Sequence, residues 1–227
     1  TSGKYIIMIL DNNFSTVEQF KNFITNECKK YTLHFTKKKK QRVYYYDVIG
    51  AFDIETTSLN YMYGEDEIHN GTMYINMLAV NGHAVYFRTW SELIDCLKWL
   101  STILKLNYNR RLIIWVHNLA FEFSFIEHLF NWVEIFAREK RKPITALCDI
   151  GIEFRCSYIL SGASLSYTLK NEVLRHPIEK MSGDLNYDLL RGKTTPLTDK
   201  ELKYCLNDVL GVSAYISEVL ENENVNL

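Results

Sequence analysis

Proline and glycine are scarce in this 227-residue chain, with 3 and 10 copies. Proline-rich spacers and flexible glycine linkers are therefore excluded, and no internal repeat is visible. Cysteine numbers 5, an odd count, widely spaced and without a C-x-x-C pair. A disulfide framework and a structural zinc site are both set aside, and a reducing compartment is the expected setting. The longest apolar runs, such as residues 112–116, are far too short to span a bilayer. No basic-then-apolar leader opens the chain, so a cytoplasmic location is expected. Charge of one sign is lacking too. Lys+Arg 26 against Asp+Glu 27 leaves a net charge of -1, too neutral for a protein that coats duplex phosphates through many contacts.

What is present suffices for a core: 47% hydrophobic and 14% aromatic residues argue against disorder over most of the length. Residues 5–10 read as a strand and 15–30 as a helix, with Ser15 and Glu18 at capping-box spacing. A short strand over 32–36 leads into Lys37-Lys38-Lys39-Lys40-Gln41-Arg42. These five positive charges in six residues repel one another and favour an exposed turn. The run is the expected boundary between a small N-terminal α/β appendage, residues 1–42, and a main domain, residues 43–227. The opening Thr-Ser-Gly lacks a methionine and reads as a cloning remnant, so a piece of a longer protein is expected.

Past that run, residues 43–54 are rich in β-branched and aromatic side chains and should hold one or two strand segments. Runs 73–80 and 83–87 flank Asn81-Gly82, which tolerates the positive φ of a type I′ hairpin turn. Leu93, Leu97, Leu100 and Leu104 give residues 91–106 a helical stripe. A buried strand over 111–116 and a helix over 121–131 follow. Short strands are expected at 133–136, 144–148 and 153–156, with a basic loop at 138–142, then a helix over 164–174. Thr198 and Glu201 have the spacing to cap a long final helix over 199–221. This order makes an α/β architecture the expectation, while periodicity alone leaves the topology open.

Three acidic stretches carry the chemistry. In Ala51-Phe52-Asp53-Ile54-Glu55-Thr56-Thr57, Asp53 and Glu55 project from one face of a strand. Adjacent carboxylates repel; a hard divalent cation resolves the conflict, and so does a solvated strand edge. In Trp115-Val116-His117-Asn118-Leu119-Ala120-Phe121-Glu122, a strand gives way to a helix. Asn118 can cap that helix, and Glu122 suits its first turn. In Tyr204-Cys205-Leu206-Asn207-Asp208, Tyr204 and Asp208 lie four apart on one helix face, as in any amphipathic helix. Each stretch alone is weak; their order is informative.

In that order, F-D-I-E-T-T, H-N-L-x-F-E and Y-x-x-N-D resemble the three motifs of the DEDD-type 3′–5′ exonuclease of family B DNA polymerases. They look most like the protein-primed branch used by some phages and linear plasmids. Ile152-Glu153-Phe154-Arg155-Cys156-Ser157-Tyr158 and Ser182-Gly183-Asp184-Leu185-Asn186-Tyr187 also resemble segments of that branch. The resemblance implies a ribonuclease-H-like fold, a mixed central sheet flanked by helices, and cleavage of single-stranded DNA from its 3′ end. It implies that Asp53, Glu55, Glu122 and Asp208 hold two Mg²⁺ or Mn²⁺ ions, with Asp53 bridging them, and that Tyr204 orients the attacking water. It assigns Thr56, His117, Asn118, Phe125, Ser157 and Tyr187 to holding the strand.

Two positions depart from the family pattern. Glu122 stands where aspartate is usual, and Ser182 where a lysine is common, with Lys180 and Lys193 as candidates to replace that lysine. No aspartate-bearing palm motif or large basic thumb is present, so an isolated proofreading domain is expected. Its implied partners are a polymerase module in the parent chain and a priming protein, with no membrane. The alternatives are the same fold acting on RNA, and a non-catalytic binding or assembly module that kept the fold.

Overall fold

A computed structural model describes residues 11–38, 41–63, 66–173, 175, 177–178 and 189–223. The strand expected at 5–10 lies outside the described residues, as do Lys180, Ser182, Gly183, Asp184 and Tyr187. The chain opens with α1 (Val17–Glu27), the hairpin β1 (Leu33–Lys38) and β2 (Gln41–Tyr46), then β3 (Gly50–Tyr63), β4 (Asp66–Val80) and β5 (His83–Phe87). It continues through α2 (Trp90–Ile103), β6 (Arg110–Val116), α3 (Leu119–Ile126), β7 (Trp132–Glu139), β8 (Lys142–Cys148) and β9 (Ile152–Cys156). The short helices α4 (Tyr158–Ser161) and α5 (Leu165–Asn171) and the long α6 (Asp199–Glu223) complete it.

The strands β5-β4-β3-β6-β9 form the centre of the sheet. In that set β4 runs against its neighbours, whereas β3, β6 and β9 are parallel. The β7–β8 hairpin extends the sheet beyond β9. On the other side of β6, β2 pairs at Tyr44↔Arg110, and β3 takes over the same edge at Gly50↔Ile114. A residue larger than glycine would not fit at that handover. A Cβ on Gly50 would come within 2.7 Å of the Ile113 carbonyl oxygen.

Helices cover both faces because strand side chains alternate. Phe52 and Ile54 of β3 face one core with Phe20 and Ile24 of α1, Leu97 of α2 and Phe123 of α3. Ala51 faces the other, under Leu169 of α5 and Val209 of α6. Asp53 and Glu55 share the parity of Ala51, which turns them toward α6. Residues 11–42 contribute Phe20 and Ile24 to the main core, and the boundary expected at Arg42 falls within β2.

Several local signals are realised as spaced. Asn81 (φ 51) and Gly82 (φ 80) make the turn between β4 and β5, and Leu93, Leu97, Leu100 and Leu104 are all buried. Before α6, the Glu201 N–H donates to Thr198 Oγ1 (3.2 Å) while the Thr198 N–H donates to Glu201 Oε2 (2.7 Å). Such a cap contributes about 1 kcal/mol.

Three expectations need correction. The cap of α1 is Thr16 rather than Ser15, which puts Gln19 rather than Glu18 at the third helical position, where the reciprocal bond forms. Asn118 sits at the N-cap of α3, but its side chain makes no capping bond. Its φ of -128 and ψ of 71 depart from the extended backbone that aims such a side chain. The basic loop at 138–142 is the tight end of the β7–β8 hairpin, with Glu139↔Lys142 still paired.

Candidate metal centre

Carboxylates from three elements meet at one end of the sheet. Asp53 and Glu55 come from β3 and Asp208 from the face of α6 that crosses it, and one oxygen from each lies within 4.8 Å of the others. A bulge shapes this spot. Pairing jumps from Glu55↔Ile75 to Thr56↔Met73, leaving Tyr74 as the extra residue on β4. Bulges increase local twist and re-aim side chains. Glu122 arrives from α3, which starts three residues after β6 ends. Its charge acts on Asp53, and its Oε2 is buried without a hydrogen-bond partner among the described residues.

The cluster is electrostatically costly. Burial, followed by the charges of Glu122, Glu55 and Asp208, holds the Asp53 carboxyl well above the usual range. Burial, and then the charge of Glu55, pushes Glu122 up to about 8. The strain reaches the surroundings. Burial raises the Cys205 thiol on α6, helped by Glu55, Asp53 and Asp208, and burial followed by Glu55 raises the Tyr74 hydroxyl. Unpaired charge in a dry site is unfavourable, and a multivalent cation relieves it. The donors are all oxygen, which suits Mg²⁺ or Mn²⁺ and not the nitrogen and sulfur preference of zinc. The residues therefore fit a divalent ion.

Thr56 follows Glu55 just past the bulge. The His117 ring, at the end of β6, lies 3.2 Å from Ser157 Oγ through Nδ1 and 3.1 Å from the Ala163 carbonyl through Nε2. Ser157 is fully buried with its hydroxyl against that ring. Asn118 is exposed. Phe125 is half-buried, with its ring beside Gly71 of β4 and edge-on to Phe121 at 5.2 Å. Tyr204 lies one turn before Asp208 on α6, Lys193 is exposed in the preceding loop, and Tyr187 lies outside the described residues.

Sequence reasoning passed over the ties that fix this geometry. Thr57 Oγ1 donates to the Leu189 carbonyl (3.1 Å) and accepts from the Arg191 N–H (3.3 Å). The Arg191 guanidinium grips Glu201 in the first turn of α6 at 2.7 Å, and Arg88 donates to the Gly192 and Thr195 carbonyls at 2.8 Å. Together these contacts hold the site end of β3 to the start of α6, and so Asp53 and Glu55 to Asp208. Most link residues over 100 positions apart, and no local pattern marks them. Phe121, in H-N-L-x-F-E, is 44% exposed.

A central sheet with one antiparallel member, helices on both faces and acidic side chains on its middle strand define a ribonuclease-H-like α/β fold. No family model matches the chain, and no curated protein matches its sequence. Solved structures do match in fold. Phi29 DNA polymerase complexed with primer-template DNA and incoming nucleotides aligns over 78% of this chain with a TM-score of 0.59 at 13% identity. The same polymerase complexed with single-stranded DNA aligns over 80%, with a TM-score of 0.58 at 14% identity. This chain covers 31% and 32% of those polymerase chains, respectively. The fold expected from the three motifs is the one found.

Proposed function

We propose that this chain is a divalent-metal-dependent 3′–5′ exonuclease that shortens single-stranded DNA, serving as the proofreading part of a protein-primed polymerase. The observation that carries this reading is the convergence of Asp53, Glu55 and Asp208, with the buried Glu122 close enough for its charge to act on Asp53. Asp53, Glu55, Glu122 and Asp208 would hold two Mg²⁺ or Mn²⁺ ions. Bound there, the ions would lower the pKa of a water and neutralise the charge of the scissile phosphate. Tyr204 orients that water through its hydroxyl. Thr56, Asn118, Phe125 and Tyr187 hold the terminal nucleotides, and Ser157 acts by fixing the His117 ring. Water adds to the terminal phosphorus, the 3′ oxygen of the preceding nucleotide leaves and takes up a proton, and a nucleoside monophosphate is released. The fold shared with a polymerase seen on DNA supports DNA over RNA as substrate.

A 5′-labelled single-stranded oligonucleotide incubated with Mg²⁺ should yield a ladder that shortens from the 3′ end, faster for DNA than for RNA of the same sequence. Internal fragments, or no cleavage of either strand, would overturn the assignment.

A further inference from the structure

The β7–β8 hairpin takes no part in the carboxylate site, yet its tip shares that end of the sheet. Arg138, Lys140, Arg141 and Lys142 crowd the tip, all exposed. Of these, Lys142 alone has a salt bridge among the described residues, to Glu139 at 2.7 Å. The strand that leads to the tip turns Val133, Ile135 and Phe136 outward, and Phe136 is 64% exposed.

Register places the tip. Thr145 of β8 is opposite Arg155 of β9, Arg155 opposite Trp115 of β6, and Trp115 opposite Ala51 of β3. From that common level, Glu55 lies four residues further along β3. Because β8 runs the opposite way, Arg141 lies four residues beyond Thr145 on the same side. Each displacement is roughly 13 Å. Three interstrand steps separate β3 from β8, roughly 14 Å across the sheet. With a phosphate about every 3.4 Å along a stacked strand, that distance is about four nucleotides.

The surface also indicates its occupant. Register shifts between Trp132 and Glu134, Phe136 and Ala137, and Ala137 and Glu139 roughen the free edge of β7. Such bulges, flanked by charge, blunt pairing with a strand from a second copy. Cations beside an exposed aromatic ring instead match a polynucleotide, with phosphates on the former and a base on the latter. We propose that the β7–β8 hairpin is a second grip on the substrate strand, holding phosphates about four nucleotides inward of the 3′ end seated at the carboxylates. This rests on the exonuclease reading above.

The test is fluorescence anisotropy on 12-nucleotide and 3-nucleotide strands, in DNA and in RNA, with divalent ions chelated so that nothing is cut. The variant R138Q/K140Q/R141N/K142Q removes the charge, and asparagine suits the φ of 63 at Arg141. Its dissociation constant for the 12-mers should rise about tenfold, and the slope against log salt should fall by about 3, at ~0.7 per lost contact. Binding of the 3-mers, too short to span the gap, should stay as in the unaltered protein. Loss is expected on both 12-mers, and the tighter unaltered binding names the preferred strand. Lys140→Glu alone repeats the test should the fourfold variant fail to fold. Unchanged 12-mer affinity and slope in a folded variant overturn the proposal. If the unaltered protein binds the 12-mers yet never shortens them with Mg²⁺, the exonuclease reading fails on its own; if it shortens them and the variant keeps full affinity, the hairpin proposal fails alone.

Discussion

Replacing Asp53 with asparagine will reduce nuclease activity by a factor on the order of 10³ or more, and it will stabilise the metal-free protein. Both effects have one cause. Asp53 is hemmed in by Glu122, Glu55 and Asp208, and in the absence of a cation its ionised form is held against burial and three like charges. Asparagine keeps the shape and removes the charge, so the melting temperature measured in chelator should rise by roughly 2–8 °C, corresponding to about 1–2 kcal/mol in a chain of this size. On the proposed function, removing the same charge also takes away a metal ligand, whose electrostatic effect on the reaction is worth several kcal/mol, at tenfold per 1.36 kcal/mol. Activity and stability are read by single-turnover cleavage and thermal melting. A variant of undiminished activity would remove Asp53 from the chemistry. A variant that is inactive and melts lower would make Asp53 a structural anchor.

The second large effect is a pH-dependent response to metal. Glu122 is raised from 4.5 to about 8, chiefly by burial and then by Glu55. A carboxyl whose folded pKa exceeds its unfolded value favours the folded state while it is protonated. That contribution is complete below about 4.5 and is lost as pH rises through about 8. The chelated protein should therefore melt progressively lower from pH 5 to pH 8.5. Saturating Mg²⁺ should oppose the trend, because the ion binds the deprotonated carboxylates that the bare site disfavours. The Mg²⁺-induced rise should be small at pH 5 and roughly 5–10 °C at pH 8.5 for an ion at 100 times its dissociation constant. A rise that is equal at both pH values would show that the ion binds elsewhere.

The carboxylates were legible in the sequence because each occupies a periodic element. Period two places Asp53 with Glu55 and opposite Phe52 and Ile54; the helical repeat places Tyr204 one turn from Asp208. The hairpin at Asn81-Gly82 and the cap at Thr198 were legible for the same reason, since their chemistry is local. What escaped is not local. The Tyr74 bulge leaves no signal in a run of strand-forming residues. The Arg191–Glu201 pair and the bonds of Thr57 to the Leu189–Arg191 backbone depend on segments that meet only after folding. Asn118 and Ser157 show a further limit. The residue type of Asn118 suits a cap, but its backbone angles keep the side chain from making one, and nothing in the sequence around Ser157 marks its full burial.

Anomalous diffraction from crystals soaked in Mn²⁺ tests the carboxylate cluster most directly. Two peaks about 4 Å apart are expected, with Asp53 touching both and Glu55, Asp208 and Glu122 completing the shells. Density without a peak at these four side chains, in crystals where Mn²⁺ is bound elsewhere, would contradict the account.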